Sequence, residues 1–163
     1  MQLITEKGTK MSQLKTIQDI VRLALEKEQE AVQFYTQAAQ LVANPGTKVM
    51  LKELAEEEQK HVSLLSKVQT GSTLKMIGSR PLPASMDFSR YLVSEPVSEN
   101  STPQDIMIIA IKREDSAIAF YSQQLEVFAG NELRETFERL LAWEKEHKER
   151  LEAEYDREVL KDN

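Results

Sequence analysis

Residues 28–35 read EQEAVQFY and residues 58–61 read EQKH; 86 positions further along, residues 114–121 read EDSAIAFY and residues 144–147 read EKEH. Glu28, Phe34, Tyr35, Glu58 and His61 thus recur as Glu114, Phe120, Tyr121, Glu144 and His147. The two Glu-x-x-His tetrapeptides use the only two histidines of the 163-residue chain. With Glu scattered at its frequency here, finding it three residues before both histidines has a chance on the order of one in fifty, before the other matches are counted. The chain is one pattern written twice.

Start and stop signals place that pattern on four long helices. Thr16, with Asp19 three residues on, reads as the N-cap of a first helix over about 16–43 that carries Ile17, Ile20, Val21, Ala24, Ala31, Phe34, Ala38 and Leu41 at three-and-four spacing. Asn44-Pro45-Gly46 stops it and starts a second, over 45–70, with Pro45 in the first turn and Gly71 after the end. Thr102-Pro103 opens a third, over 103–129, and Gly130-Asn131 turns it into a fourth, over 131–158. Two helical hairpins follow from the short turns, and with them an all-α four-helix bundle whose hairpins are related by a pseudo-twofold.

Height along the hairpins makes the repeat chemical. Glu28 lies sixteen residues before Asn44, and Glu58 and His61 lie fourteen and seventeen after it, so antiparallel packing brings all three to one level. Glu114, Glu144 and His147 stand in the same relation to Gly130. Within each Glu-x-x-His the two side chains share a helix face. Packed face to face, the hairpins converge four carboxylates and two imidazoles, the arrangement known for di-iron and di-manganese carboxylate bundles. Two divalent ions balance four carboxylates, whereas one ion would leave net charge buried. Oxygen and imidazole donors suit iron or manganese, and the lack of cysteine argues against a thiolate zinc site. Glu58 and Glu144, on the helices of the histidines, are expected to bridge the two ions; Glu28 and Glu114 are expected to be terminal ligands, with one histidine to each ion.

Composition narrows the rest. Few glycines and prolines, five of each, in a chain rich in Glu, Lys, Leu and Ala favour helix, and the length suits one domain, 1–163. A net charge of −6 and a pI near 5.1 leave no basic face for nucleic acid or anionic lipid. No apolar run approaches the ~20 residues that span a bilayer, and residues 1–7 lack the apolar core of a signal peptide, so a cytoplasmic protein is expected. Residues 1–12 show no periodic pattern and are assigned no role.

On these residues the chain resembles the ferritin-like superfamily, and within it the rubrerythrin-like proteins and bacterioferritins. The resemblance covers about residues 16–160. It implies a carboxylate-bridged di-iron centre that reacts with hydrogen peroxide or dioxygen, with Tyr35 and Tyr121 in the places of the family's tyrosines that hydrogen-bond a ligand carboxylate from the opposite hairpin. Two departures matter. Rubrerythrins usually carry a further Glu one turn after the third-helix ligand, where this chain has Ala117, and a rubredoxin domain, which a sequence without cysteine does not contain. The reductant is therefore expected to come from an external donor such as a rubredoxin. Cage-forming ferritins add a short fifth helix, for which nothing remains before Asn163, so a storage shell is not expected.

Residues 72–102 hold Gly78, Pro81, Pro83 and Pro96 and read as one long crossover between the second and third helices, with a short helix near Ser85–Leu92. A bundle helix of this length spans ~40 Å, which an irregular chain of this length covers easily, so the second and third helices can run parallel. The segment is expected to pack across the bundle. Phe34 and Phe120 read as core aromatics, Trp143 as core or dimer interface, and Glu30, Glu56, Glu57, Glu146 and Glu149 as solvent-facing charges with Lys60, Arg113 and Lys148 as surface partners. A homodimer is the expected assembly. Three functions remain open: a peroxidase or oxidase, a ferroxidase or iron-handling protein of bacterioferritin type without a cage, and a bundle that binds metal or a partner without catalysis.

Overall fold

The structure, a computed structural model, describes residues 10–92 and 95–161. Among them are six α-helices and no strand: α1 (Ile17–Leu41), α2 (Pro45–Thr70), α3 (Ser72–Ile77), α4 (Ser89–Leu92), α5 (Pro103–Val127) and α6 (Glu132–Lys161). The start signals act as their chemistry dictates. Thr16 and Thr102 each accept from the backbone N–H of Asp19 and Asp105, whose carboxylates return the bond, closing a capping box at both repeats. Asn44 caps α2 through Thr47, and Asn131 accepts from Leu133 at the head of α6, after Gly130 has turned the chain with a positive φ of 81°. Thr102→Ala is expected to cost about 1 kcal/mol, the worth of an N-cap, read as a lower midpoint in a urea melt with unchanged slope.

The residues before α1 and the crossover support each other. Ile17 and Gln18 donate their backbone N–H to Arg80 and Gly78, and Leu82 donates to Lys15, so crossover carbonyls satisfy the otherwise orphaned first turn of α1. Gly78 is needed there, because a Cβ would lie 2.5 Å from the carbonyl oxygen of Leu74. The crossover is more ordered than its composition predicts. The chain re-enters a helix at Ser72 directly after the Gly71 cap, and the later short helix is confined to Ser89–Leu92. Leu74, Ile77, Phe88, Tyr91, Leu92 and Val97 are all buried, which is what gives this segment a fixed course. Residues 1–9, part of the stretch assigned no role, lie outside the described residues.

Pairing α1 with α2 and α5 with α6 gives the two hairpins. Their mutual direction follows from polar contacts. Arg150 reaches Glu53 and Glu57 while His147 reaches Glu58 and His61 reaches Glu144, so α2 and α6 run antiparallel. Tyr35 with Glu114 and Tyr121 with Glu28 make α1 and α5 antiparallel too. Hence α2 and α5 are parallel and the crossover travels the length of the bundle. The core divides into two apolar clusters, one around Ile20, Leu23, Phe120, Tyr121, Phe128 and Phe137, the other around Phe34, Tyr35, Leu51, Leu54, Ile106 and Met107. The repeat-related pairs Phe34-Tyr35 and Phe120-Tyr121 fall one in each, on either side of a buried polar layer.

Among the described residues, no helix is long and apolar enough to cross a membrane.

Candidate metal centre

That polar layer is where the repeated residues meet. Glu28, Glu58, His61, Glu114, Glu144 and His147 are all buried to within 3% of full exclusion from solvent. Their donor atoms form two overlapping groups, Glu28, Glu58, His61 and Glu144 on one side and Glu58, Glu114, Glu144 and His147 on the other, each with its atoms within 4.8 Å of one another. Glu58 and Glu144 belong to both. His61 Nδ1 lies 2.9 Å from Glu58, 3.0 Å from Glu144 and 3.5 Å from Glu28; His147 Nδ1 lies 3.2 Å from Glu58, 3.7 Å from Glu114 and 3.8 Å from Glu144.

The donors converge without satisfying one another. Glu58 Oε2, His61 Nδ1, Glu114 Oε2 and Glu144 Oε1 are buried with no hydrogen bond of acceptable geometry, although carboxylate and imidazole atoms stand close by. Each such orphan is costly in a low-dielectric interior. Four carboxylates and two imidazoles aimed at two points, with lone pairs left over, fit two hard or borderline divalent ions. Iron and manganese both match this donor set.

The protonation pattern tells the same story. Burial raises the Glu144 carboxyl well above its usual range, and the charges of Glu114, Glu58 and Glu28 add to it. Glu58 is raised by burial and by Glu28. Glu28 is held low despite burial, because the imidazole of His61 beside it faces it with positive charge. Burial would lower His147, but the carboxylates of Glu114 and Glu58 beside it lift it to about 10, and His61 is likewise lifted by Glu144 and Glu28 against burial. The cluster therefore holds protons where cations would balance it.

Around the donors the structure places a supporting ring. Tyr35 Oη donates to Glu114 and Tyr121 Oη to Glu28, each tyrosine reaching a buried carboxylate of the other hairpin. Tyr121→Phe keeps the packing and strands a buried acceptor, so chelator-treated protein is expected to lose about 1–3 kcal/mol, measured by denaturant unfolding. A cavity of 470 Å³ opens between α1, α4 and α5, and Glu28, Glu58, Glu114 and Glu144 are among its lining residues, together with Ala31 and Ala117.

Two charges read as solvent-facing are placed otherwise, and Trp143, read as core or dimer interface, packs against the core. Glu30 does not face solvent: it is 1% exposed and pairs at 2.6 Å with Lys27, itself buried, its Nζ 5.7 Å from the ring centre of Tyr91 on α4. The crossover covers this face of α1, and helix periodicity does not register a cover from a distant segment. Glu57, also read as solvent-facing, reaches inward to accept from His147 Nε2 at 2.8 Å. Trp143 lies on the ring of His61, centroids 4.9 Å apart and planes 9° from parallel. Glu57 and Trp143 occupy the same place in the repeat, immediately before Glu58 and Glu144, one of several positions at which the copies differ. Arg113 packs over Phe34, 4.4 Å from its ring centre, and Lys148 pairs with Asp115 at 2.7 Å.

The ferritin-like domain family matches residues 16–154. No curated protein matches the sequence. Among solved structures, a hypothetical protein from Pyrococcus furiosus superposes with a TM-score of 0.68 at 23% identity, covering 90% of this chain and 91% of that one. A putative ferritin-like diiron-carboxylate protein from Thermotoga maritima gives 0.71 at 22%, covering 86% and 95%. A bacterioferritin-related protein of Bacteroides fragilis, described as a dodecameric thioferritin, gives 0.66 at 20%, covering 89% and 86%. At these identities the superpositions speak for the fold, and the family match over most of the chain carries the assignment: this protein belongs to the ferritin-like domain family.

Proposed function

We propose that this chain is a di-iron carboxylate oxidoreductase that reduces hydrogen peroxide or dioxygen with electrons from a separate donor protein, such as a rubredoxin. The observation that carries the reading is the pair of overlapping donor groups that share Glu58 and Glu144 and have one histidine each. Two ferrous ions bound there would supply two electrons, the number that turns one hydrogen peroxide and two protons into two waters.

The chain's own residues do the positioning. Glu58 and Glu144, which belong to both donor groups, would serve both ions, and Glu28 and Glu114 would each serve one. Tyr35 and Tyr121 orient the carboxylates of Glu114 and Glu28 by hydrogen bonds. The lining of the cavity between α1, α4 and α5 gives a small oxidant a route to the carboxylates while the apolar clusters above and below exclude bulk water. These 163 residues contain no cysteine to hold an electron carrier, which is the reason for a donor outside them.

One observation favours a second reading. Ala117, one turn after Glu114, and its repeat mate Ala31 both line the cavity, and neither offers a ligand atom that could exchange as the oxidation state changes. A site without such a ligand suits a ferroxidase, in which ferrous iron is the substrate and leaves after oxidation.

Anaerobic loading with ferrous iron tests both. The expected result is two irons per chain, oxidised faster by hydrogen peroxide than by dioxygen at equal concentration and retained afterwards. Faster oxidation by dioxygen with release of ferric iron would replace the peroxidase with the ferroxidase. Fewer than two irons per chain would overturn both.

A further inference from the structure

The two halves of the centre are copies in their ligands and opposites in what stands behind them. His147 turns Nδ1 to the carboxylates and Nε2 to Glu57, 2.8 Å away. Glu57 is braced in turn by Arg150 Nη1 at 2.9 Å, and Arg150 Nη2 reaches Glu53 at 2.9 Å. All three carboxylate contacts of His61 among the described residues run through Nδ1, and its ring face is covered by Trp143. The guanidinium of Arg139 lies over that indole, 5.1 Å from the ring centre.

In the 86-residue register these are the same positions. Trp143 stands where the first hairpin has Glu57, Arg139 where it has Glu53, and Leu64 where the second hairpin has Arg150. One histidine is thus backed by an anion held in place, the other by an aromatic ring with a cation over it. A carboxylate on the far nitrogen of a ligating imidazole fixes its tautomer, orients the ring and makes the near nitrogen a stronger donor, an effect worth 10–100-fold in metal affinity. An indole face fixes the ring plane but accepts no proton from it.

We propose that Glu57 is a positioning residue that makes the two metal positions unequal: the His147 position binds its divalent ion first and holds it tightly, and the His61 position fills second and exchanges. This inference rests on the di-metal reading above and assigns different duties to its halves. The carboxylates shared by both positions carry the coupling, and the backing residues carry the difference.

Titration of chelator-stripped protein with Co²⁺, followed by its visible absorption and by calorimetry, tests the assignment. The unsubstituted protein should take up two ions in steps separated by at least ~10-fold in affinity. Glu57→Gln keeps the shape and the contact with Arg150 but removes the charge. It should weaken the tighter step by ~10–100-fold, displace the absorption component belonging to it, and leave the weaker step in place. His147→Ala should delete that same component, and His61→Ala the other. Trp143→Phe, which keeps an aromatic ring on His61, should leave the tighter step unchanged. Circular dichroism of each variant shows whether the bundle is retained. An unchanged pair of steps in Glu57→Gln, or an equal weakening of both, would overturn the assignment while leaving a di-metal centre standing. Fewer than two Co²⁺ bound by the unsubstituted protein would overturn the di-metal reading itself.

Discussion

Glu58→Ala is expected to abolish the rise in melting temperature that divalent metal gives the unsubstituted protein. An ion that binds only the folded chain stabilises it by about 2.7 kcal/mol when present at a hundred times its dissociation constant. In a domain of this size that corresponds to roughly 5–10 °C per site. Glu58 offers an oxygen to both donor groups, so its loss touches both positions at once, unlike the loss of Glu28 or Glu114. The remaining donors would have to hold two dications with one shared carboxylate fewer, leaving positive charge uncompensated in a buried layer. Glu56, two residues away and exposed, is the control. Glu56→Ala should show the full metal-dependent rise, measured by thermal melts with Mn²⁺ or, anaerobically, with Fe²⁺, against the same protein in chelator. An equal rise in Glu58→Ala and the unsubstituted protein would sink the placement of the site.

How much of this was readable without coordinates depends on whether the determining contact is local or remote. Helix starts are local: Thr16, Asn44 and Thr102 cap through residues three positions on, so their sequence signature is their structure. The convergence of Glu28, Glu58, His61, Glu114, Glu144 and His147 was readable because hairpin turns convert distance along the chain into height, and the repeat supplied the second half. The cross-hairpin bonds of Tyr35 and Tyr121 followed the same symmetry. What escaped was set by parts of the chain with no periodic relation to the residue affected. Glu30 is buried with its partner Lys27 beneath the crossover helix that carries Tyr91, and helix periodicity alone places Glu30 outward. The order of residues 72–77 arises because Leu74 and Ile77 find the base of α1, not from helical propensity in a six-residue segment. Glu57 was read with Glu56 as a solvent-facing charge, and its turn toward His147 is set by the partner helix.

Chelator-treated protein should become less stable as pH rises from about 5 to 9, and divalent metal should remove or reverse that slope. Glu58 and Glu144 have folded values above the carboxyl's ordinary 4.5, and His147 is raised from 6.5 to about 10, with His61 raised as well. A group raised on folding lends stability fully below its unfolded value and loses it as pH climbs through its folded value. For the two carboxyls the loss therefore begins above about 4.5, and for His147 it begins above about 6.5 and is complete past about 10. Glu28 acts in the opposite sense, but its folded value is depressed, so its contribution is lost only on acidification below the ordinary carboxyl value and does not oppose the trend. Over the neutral range the folded chain thus holds more protons than the unfolded one, and each excess proton costs about 1.4 kcal/mol per pH unit. Metal changes the sign because it takes the place of those protons: binding releases them, so affinity and the stability it brings grow with pH. Melting temperatures at three pH values with chelator and with Mn²⁺ give two lines that diverge upward in pH. A chelator line that rises with pH would mean that the four carboxylates are not crowded together in the folded protein.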